Sequence, residues 1–508
     1  MQDFALAVHL RRLFADEDGA ILFQSLSLAF RAIATIGQST AFTVLSMMKH
    51  LPAQILAGAA LGLAGHAFAG NPLISTVYSA APSAHDWPGD GRLWLYCSHD
   101  QPGTNTHDTM ISYHVFSSSD LVNWTDYGVV LHLKDVSWAI SHMWAIDCVR
   151  WKGTYYLVFC AKEKGTGMFR TGLATSPRPQ GPFTDTGFIQ GVEWGQDPAL
   201  FVDDDGAPYL YWGAGGVCHG ARLSDDLRSV VPGTIVDLTA QLTHVYEGPW
   251  VHKYRGKYYL SYPGLSGGKW PENMYYAIAE KPLGPYAFQG CYIPEFKGQA
   301  GTNHGSIIEY RGRWLALHHS MWVSGGLSEV RNLMCGYLDY NADGTIKPII
   351  PTRDGVAAPG ATAGPSRVTV LLEAENGPAA CGELRGARVA QAIPGFSGAG
   401  YVEGFEGPGN SVTVMVQSAK ARRAGLKIRY RAPDGDEQHK VLVNYTLLPD
   451  PVRGYTTWEK LIVFPRAADW TEIDLGPVNL KEGDNYIQFS SGGHGRIAVD
   501  YFKLEQMD

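Results

Sequence analysis

Two acidic residues stand out by their settings. Asp197 lies in Gln196-Asp197-Pro198 and Glu247 in Tyr246-Glu247-Gly248-Pro249-Trp250, each leading into an apolar, aromatic-rich run. Each precedes, by about nine residues, a phrase made of a charged residue, a Gly and an aromatic strand. At the same offset elsewhere stand Ala81-Pro82, Trp144 and Asn303-His304. Two carboxyl groups facing one pocket are the equipment of glycoside hydrolysis. One, protonated, gives its proton to the leaving oxygen; in inverting enzymes a second, roughly 6.5–9.5 Å away, activates water. A further carboxylate nearby raises the acid's pKa by like-charge repulsion. Trp144 and Trp250 offer flat apolar faces to sugar rings. The plainer alternative is a set of polar residues that merely close strand ends.

The elements that must position these residues recur. Asp90-Gly91, Lys152-Gly153, Asp205-Gly206, Arg255-Gly256 and Arg311-Gly312 each open an aromatic strand, at roughly 50- to 60-residue intervals. A charged residue and Gly before such a strand is a hairpin signal, because Gly supplies the positive φ of the turn. About four strands per period is propeller arithmetic. Five periods between Asn71 and about Pro351 predict five blades, with the first residues of each innermost strand converging at one axial mouth. No Gly-x-Ser-x-Gly elbow, P-loop or dinucleotide-binding turn competes. Gly213-Ala214-Gly215-Gly216 follows a strand but opens no helix.

Composition agrees and excludes other classes. In 508 residues, 12% are aromatic and only 18% charged, against roughly 25% charged in average domains. That balance rules out a disordered chain or a coiled coil. The net charge is −8, and basic residues cluster only in runs such as Lys420-Ala421-Arg422-Arg423, so no nucleic-acid footprint exists. Residues 48–69 read as a secretory signal, with basic Lys49 and His50, an apolar run and Ala67-Phe68-Ala69 as cleavage site. Residues 1–47 then precede a signal; a mis-called start is the favoured reading and a helical extension or anchor the other. A secreted or periplasmic protein follows, with no stable membrane association once mature. The seven cysteines form no Cys-x-x-Cys pair and read as free buried thiols, although export permits one or two bridges.

On these residues the chain resembles glycoside hydrolase family 43, the inverting arabinofuranosidases and xylosidases built on five-bladed propellers. The resemblance runs from about Asn71 to Thr352. It rests on Asn71-Pro72-Leu73-Ile74, the YCSHD of residues 96–100, Trp144-Ala145-Ile146-Asp147, Gln196-Asp197-Pro198 with FVDDDGAPYLYWG, Tyr246 to Trp250, Asn303-His304-Gly305-Ser306 and Asn341 to Pro348. It implies Glu247 as general acid and Asp197 as the residue that tunes and orients it. It implies Arg331 as a sugar contact and His304 as the axial histidine facing a cation or water, with no cofactor for catalysis. One departure matters. Family members carry Asp-Pro in blade one, the Asp being the general base, where this chain has Ala81-Pro82. A methyl group accepts no proton. Ala81 therefore signals a substitution that traps substrate, a natural non-catalytic sugar binder, or an enzyme with a different base. By the spacing argument Asp86 and Asp100 fall away from the mouth.

Residues 353–367 form a Pro/Gly/Ala linker with few apolar anchors, which bounds the propeller at 70–352. Beyond it, about seven strand-like runs predict an antiparallel β-sandwich, jelly-roll-like, over 368–508. Leu372-Glu373-Ala374-Glu375-Asn376 and Val499-Asp500-Tyr501-Phe502 resemble carbohydrate-binding modules of families 6 and 35. That resemblance implies a structural calcium on Glu373, Glu375 and Asp500, and a cleft near Tyr401, Trp458 and His494. Ala498 stands where relatives often carry Asn. The whole reads as all-β: a five-bladed propeller, then a sandwich module. The expected activity is exo-acting, inverting hydrolysis of arabinofuranosyl or xylosyl linkages in plant polysaccharide or its oligosaccharides, impaired by Ala81. A lectin-like binder or an exo-acting galactosidase or galactanase is the alternative.

Overall fold

The computed structural model describes residues 70–361, 366–444, 458–493 and 495–506. The signal-like segment and its upstream extension lie outside them. Among the described residues the only helical pieces are short 3-10 turns, and no helix is long and apolar enough to cross a membrane.

The chain builds a five-bladed propeller. Blade one is Ser79–Asp86, Leu93–His99, Ser112–Ser118 and Asn123–His132; blade two runs from Ala139 to Phe188. Blades three, four and five span Ala199–Asp237, Trp250–Ile293 and Ser306–Leu338. Each innermost pair is an antiparallel hairpin closed by one of the five charged-Gly phrases, for example Tyr254↔Lys257 and Tyr310↔Arg313. Gly153, Gly206, Gly256 and Gly312 sit at φ 74–88°, the left-handed region where a Cβ is unfavourable.

Blade five has three strands, not four. The segment before Ser79 completes it. Leu73 and Ser79 donate backbone N–H groups to Leu333 and Arg331, and the Asn71 amide exchanges hydrogen bonds with the Cys335 backbone. The start of the propeller thus closes its end. Between the blades lie packed apolar layers such as Leu95, Trp124, Leu317 and Leu333, or Tyr96, Leu131, Phe159 and Phe183.

The sandwich is not a tethered appendage. Its first strand, Arg367–Glu373, pairs in parallel with Asn123–His132, the outermost strand of blade one. One ten-stranded sheet therefore runs from the propeller into the sandwich. The segment expected as a linker is packed down: Val356 and Ala358 are buried in the apolar layer beside blade one. Within the sandwich, apolar residues at every second position of Arg422–Ala432 fill the core with Phe489 and Phe502.

All seven cysteines are free thiols, five of them buried.

Candidate active site

The backbone at the mouth repeats one device. Ala81 and Asp197 have φ of 48° and 49° and each precedes a proline; Gly248, with φ 55°, does the same in blade four. A left-handed residue before Pro turns the chain sharply into the innermost strand. In blade one this breaks the strand register between Ala80 and Ser83. Asp197 and Glu247 thereby come to the same end of the axis.

Asp197 is almost fully buried. Cys160 donates its thiol to Asp197 Oδ1 at 3.7 Å, and the Gly248 N–H also points to this carboxylate. Loss of solvent pushes the Asp197 carboxyl up to about 7 against these stabilising bonds. Glu247 keeps part of its surface open. Its carboxyl is held well above the usual range, first by desolvation, then by Glu272, then by Asp197. A carboxyl raised in this way is suited to hold a proton and donate it.

Glu272 escaped the spacing argument. It is completely buried, its Oε2 accepts the Asn303 N–H at 2.7 Å, and burial pushes it up to about 8. Its Oε1 has no partner. Asp100 also stands at the mouth, contrary to expectation. It holds Arg331 through Nε at 2.9 Å, Nη2 at 2.8 Å and the backbone N–H at 2.7 Å. Arg331 further donates to Thr302 Oγ1 at 3.0 Å. This buried, forked pair fixes a cation beside Glu247. Both acids sit on the loops between second and third strands, which open on the same face as the starts of the innermost strands. A rule that followed only innermost strands could not reach them.

His304 packs against Gly248, where a Cβ would come within 3.0 Å of the imidazole. Burial and the Arg331 charge lower its pKa to about 3, so it stays neutral. The Ala81 N–H donates to His319 Nδ1 at 3.3 Å, and His319 Nε2 donates to the Thr302 carbonyl at 2.9 Å. Trp144 is half-buried; its indole N–H bonds the His107 carbonyl at 2.9 Å, and it packs on His142 and Phe169. Trp194, 51% exposed, continues that aromatic edge, and Tyr246 with Trp270, 53% exposed, forms another.

Trp250 does not join this group. It is buried at the other end of the axis and lines a cavity of about 700 Å³ with His85, Asp86, Trp87 and Trp314. Three residues along an innermost strand from Glu247 carry it away from the mouth. Asp86 lies in the same rear cavity.

In the sandwich, Glu373 and Glu375 converge on the 397–399 turn. Ser397 Oγ donates to Glu373 Oε1 at 2.6 Å and the Ala399 N–H to Glu375 Oε1 at 2.6 Å. Each keeps a buried Oε2 without a partner. Asp500 instead accepts from Arg429 at 2.5 Å and from the Ser397 N–H. Among the described residues no three His, Cys, Asp or Glu side chains are arranged to hold a metal ion, because the Arg429 guanidinium occupies the third expected ligand. The expected cleft is also dispersed: Tyr401 is fully buried against Trp470, Trp458 lies on the other sheet, and His494 is outside the described residues.

Comparison with known proteins adds the family. Residues 71–346 match the family model for glycosyl hydrolases family 43, and residues 373–507 that for carbohydrate binding module family 35. The chain is 35% identical over 332 residues to a xylosidase/arabinosidase 43A of Humicola insolens, covering 54% of this chain and 98% of that protein. A xylosidase/arabinosidase of Bacteroides ovatus is 33% identical over 319 residues, covering 54% of this chain and 95% of its own. The crystal structure of a GH43_1 enzyme from Xanthomonas citri superposes with a TM-score of 0.51 at 32% identity, over 59% of this chain and 99% of that one. The five blades, the carboxyl groups gathered at their mouth and a match across more than half of the residues agree: the chain belongs to glycosyl hydrolase family 43.

Proposed function

We propose that this chain hydrolyses arabinofuranosyl or xylosyl linkages of plant cell-wall polysaccharide, acting at chain ends with inversion. The observation that carries the reading is Glu247, a carboxyl held protonated by burial beside Glu272 and Asp197 at a mouth lined by Arg331, His304 and Trp144. Glu247 gives its proton to the glycosidic oxygen as the bond to the anomeric carbon breaks. Asp197 sets its pKa, and Arg331 and His304 contact the sugar. Relatives described as xylosidases and arabinosidases support the substrate class. The signal-like Met48–Ala69 supports export.

Ala81 removes the base that would activate water from the opposite side. General base catalysis is worth about 10²- to 10⁴-fold. Ala81→Asp is therefore expected to raise kcat on aryl arabinofuranosides or xylosides by that order, with an inverted product seen by NMR. No gain on any aryl glycoside would remove the support for this reading. The methyl group at position 81 favours a second one, a sugar binder without turnover, which calorimetry showing binding but no released pentose would establish.

With Asp500 held by Arg429, the two orphaned carboxylate oxygens of Glu373 and Glu375 are the oxygen ligands left for a hard cation at this turn. A structural calcium there would neutralise both charges and leave the chemistry untouched. Millimolar calcium is expected to raise the unfolding midpoint and EDTA to lower it. In Glu375→Gln that difference should vanish; an unchanged calcium response in the variant would exclude the site.

A further inference from the structure

If the glycosidase reading holds, water must be activated by a group other than residue 81. The candidates are the remaining acids at the mouth. Asp100 is engaged by Arg331 through three hydrogen bonds and is buried. Glu272 is completely buried and pushed up to about 8, so it holds its proton near neutrality. Asp108 points to solvent, its side chain 70% exposed, and pairs with His142 at 2.9 Å. Asp86 is at the rear.

Glu329 differs from all of these. It sits on the blade-five loop two residues before Arg331, with a side chain 22% exposed. Its Oε2 lies against His107 Nε2. Its Oε1 faces the mouth backbone, 3.7 Å from where a Cβ on Gly301 would stand, beside Thr302-Asn303-His304. The loop is anchored: the Glu329 N–H bonds Asn105 Oδ1 at 3.0 Å, and Val330 packs with Tyr78 in a buried cluster. Three residues on from Tyr78 is Ala81, and Ser79 N–H bonds the Arg331 carbonyl at 2.9 Å. His107 is in turn held over Trp144, whose indole donates to its carbonyl.

We propose that Glu329, oriented by His107, is the general base of this chain, replacing the carboxyl absent at position 81. His107, neutral because burial lowers it to about 3, stands with Nε2 against Oε2, while Oε1 lies on the Gly301 side beside Ser328, where the water would be held. Oε1 takes a proton from that water as its oxygen bonds to the anomeric carbon. The glycosidic C–O bond breaks, and the leaving oxygen takes the Glu247 proton. Glu329 then returns its proton, and Glu247 regains one, through solvent. The charged groups facing Glu329 are Arg331 and Asp100, with neutral His107 against it and Glu247 and Glu272 across the mouth.

The test measures wild type, Glu329→Gln, Ala81→Asp and the double variant on p-nitrophenyl xyloside and arabinofuranoside. Wild type is expected to turn over slowly. Glu329→Gln should lose about 10²-fold or more in kcat with KM little changed, and lose the acidic limb of its pH profile. The double variant should keep the Ala81→Asp rate. Wild-type kcat in Glu329→Gln, or a loss that Ala81→Asp fails to restore in the double variant, overturns the proposal. An inert wild type beside an active Ala81→Asp overturns it too, while leaving the glycosidase reading intact. If Ala81→Asp is also inert, the glycosidase reading itself fails.

Discussion

At the mouth of the propeller, each carboxyl group's role follows from how much water reaches it. Glu272 illustrates the cost. An acid whose folded pKa exceeds its unfolded value binds more protons in the native state, so stability falls as pH rises from the unfolded pKa through the folded one. Glu272 moves from 4.5 to about 8 and Asp197 from 3.8 to about 7. The unfolding midpoint should therefore carry a decline between about pH 5 and pH 8 from these groups. Glu272→Gln removes one of them, so the variant's midpoint should gain on wild type as pH rises over that window. A constant difference between the two proteins across the window would contradict this. Ala81 shows a second residue-scale effect. Its φ of 48° costs an ordinary side chain roughly 1–2 kcal/mol, and Asp, which can bond locally, bears that conformation better than Ala. The backbone at position 81 keeps the form that Asp197 uses in blade three.

Among the elements, the loops carry the variation and the strands the regularity. The innermost strands bring Asp197, Glu247 and His304 to the mouth, and their spacing was legible because each precedes the same hairpin phrase by a near-constant offset. The loops between second and third strands bring Asp100, Glu272 and Glu329, and their lengths differ from blade to blade, so no fixed offset reveals them. Strand pairing has its own surprise in Asn123–His132 against Arg367–Glu373. Leu372 reaches both sides: it belongs to the sandwich core, and a Cβ on Gly128 would lie 2.9 Å from its Cδ2. Leu372→Ala should destabilise by about 2–5 kcal/mol. Hydrogen exchange should show protection falling in residues 123–132 as well as in 367–373. Loss confined to the sandwich strand would mean the two sides are energetically separate.

For the molecule as a whole, the two domains share sheet, core and rim. Beyond the common sheet, His114 Nε2 meets Gln417 Oε1 at 2.8 Å and the Ala419 N–H bonds the Thr76 carbonyl at 2.7 Å. Lys420, part of the one basic run singled out in the sequence, donates to the Val323 carbonyl at 2.7 Å, on the loop that carries Glu329. Composition could not show this, because Lys420 and the residues it meets lie far apart in the chain. Arg178 of blade two likewise faces Glu373 and Glu375, so the acidic pair of the sandwich sits against the propeller.

The sequence by itself determined the five-bladed count, the two-domain order and the shared offset of Asp197 and Glu247. Those features are local or periodic: a Gly turn, an alternating strand and a fixed offset are written within one repeat. Only the tertiary structure decided that Glu272 joins Asp197 among the charges raising Glu247, that Trp250 faces the rear, that Arg429 holds Asp500, and that Val356 and Ala358 of the linker are packed. Each of these depends on which side chains from separate blades or strands meet once water is excluded. Burial and charge proximity are properties of that meeting, and no single stretch of chain contains them.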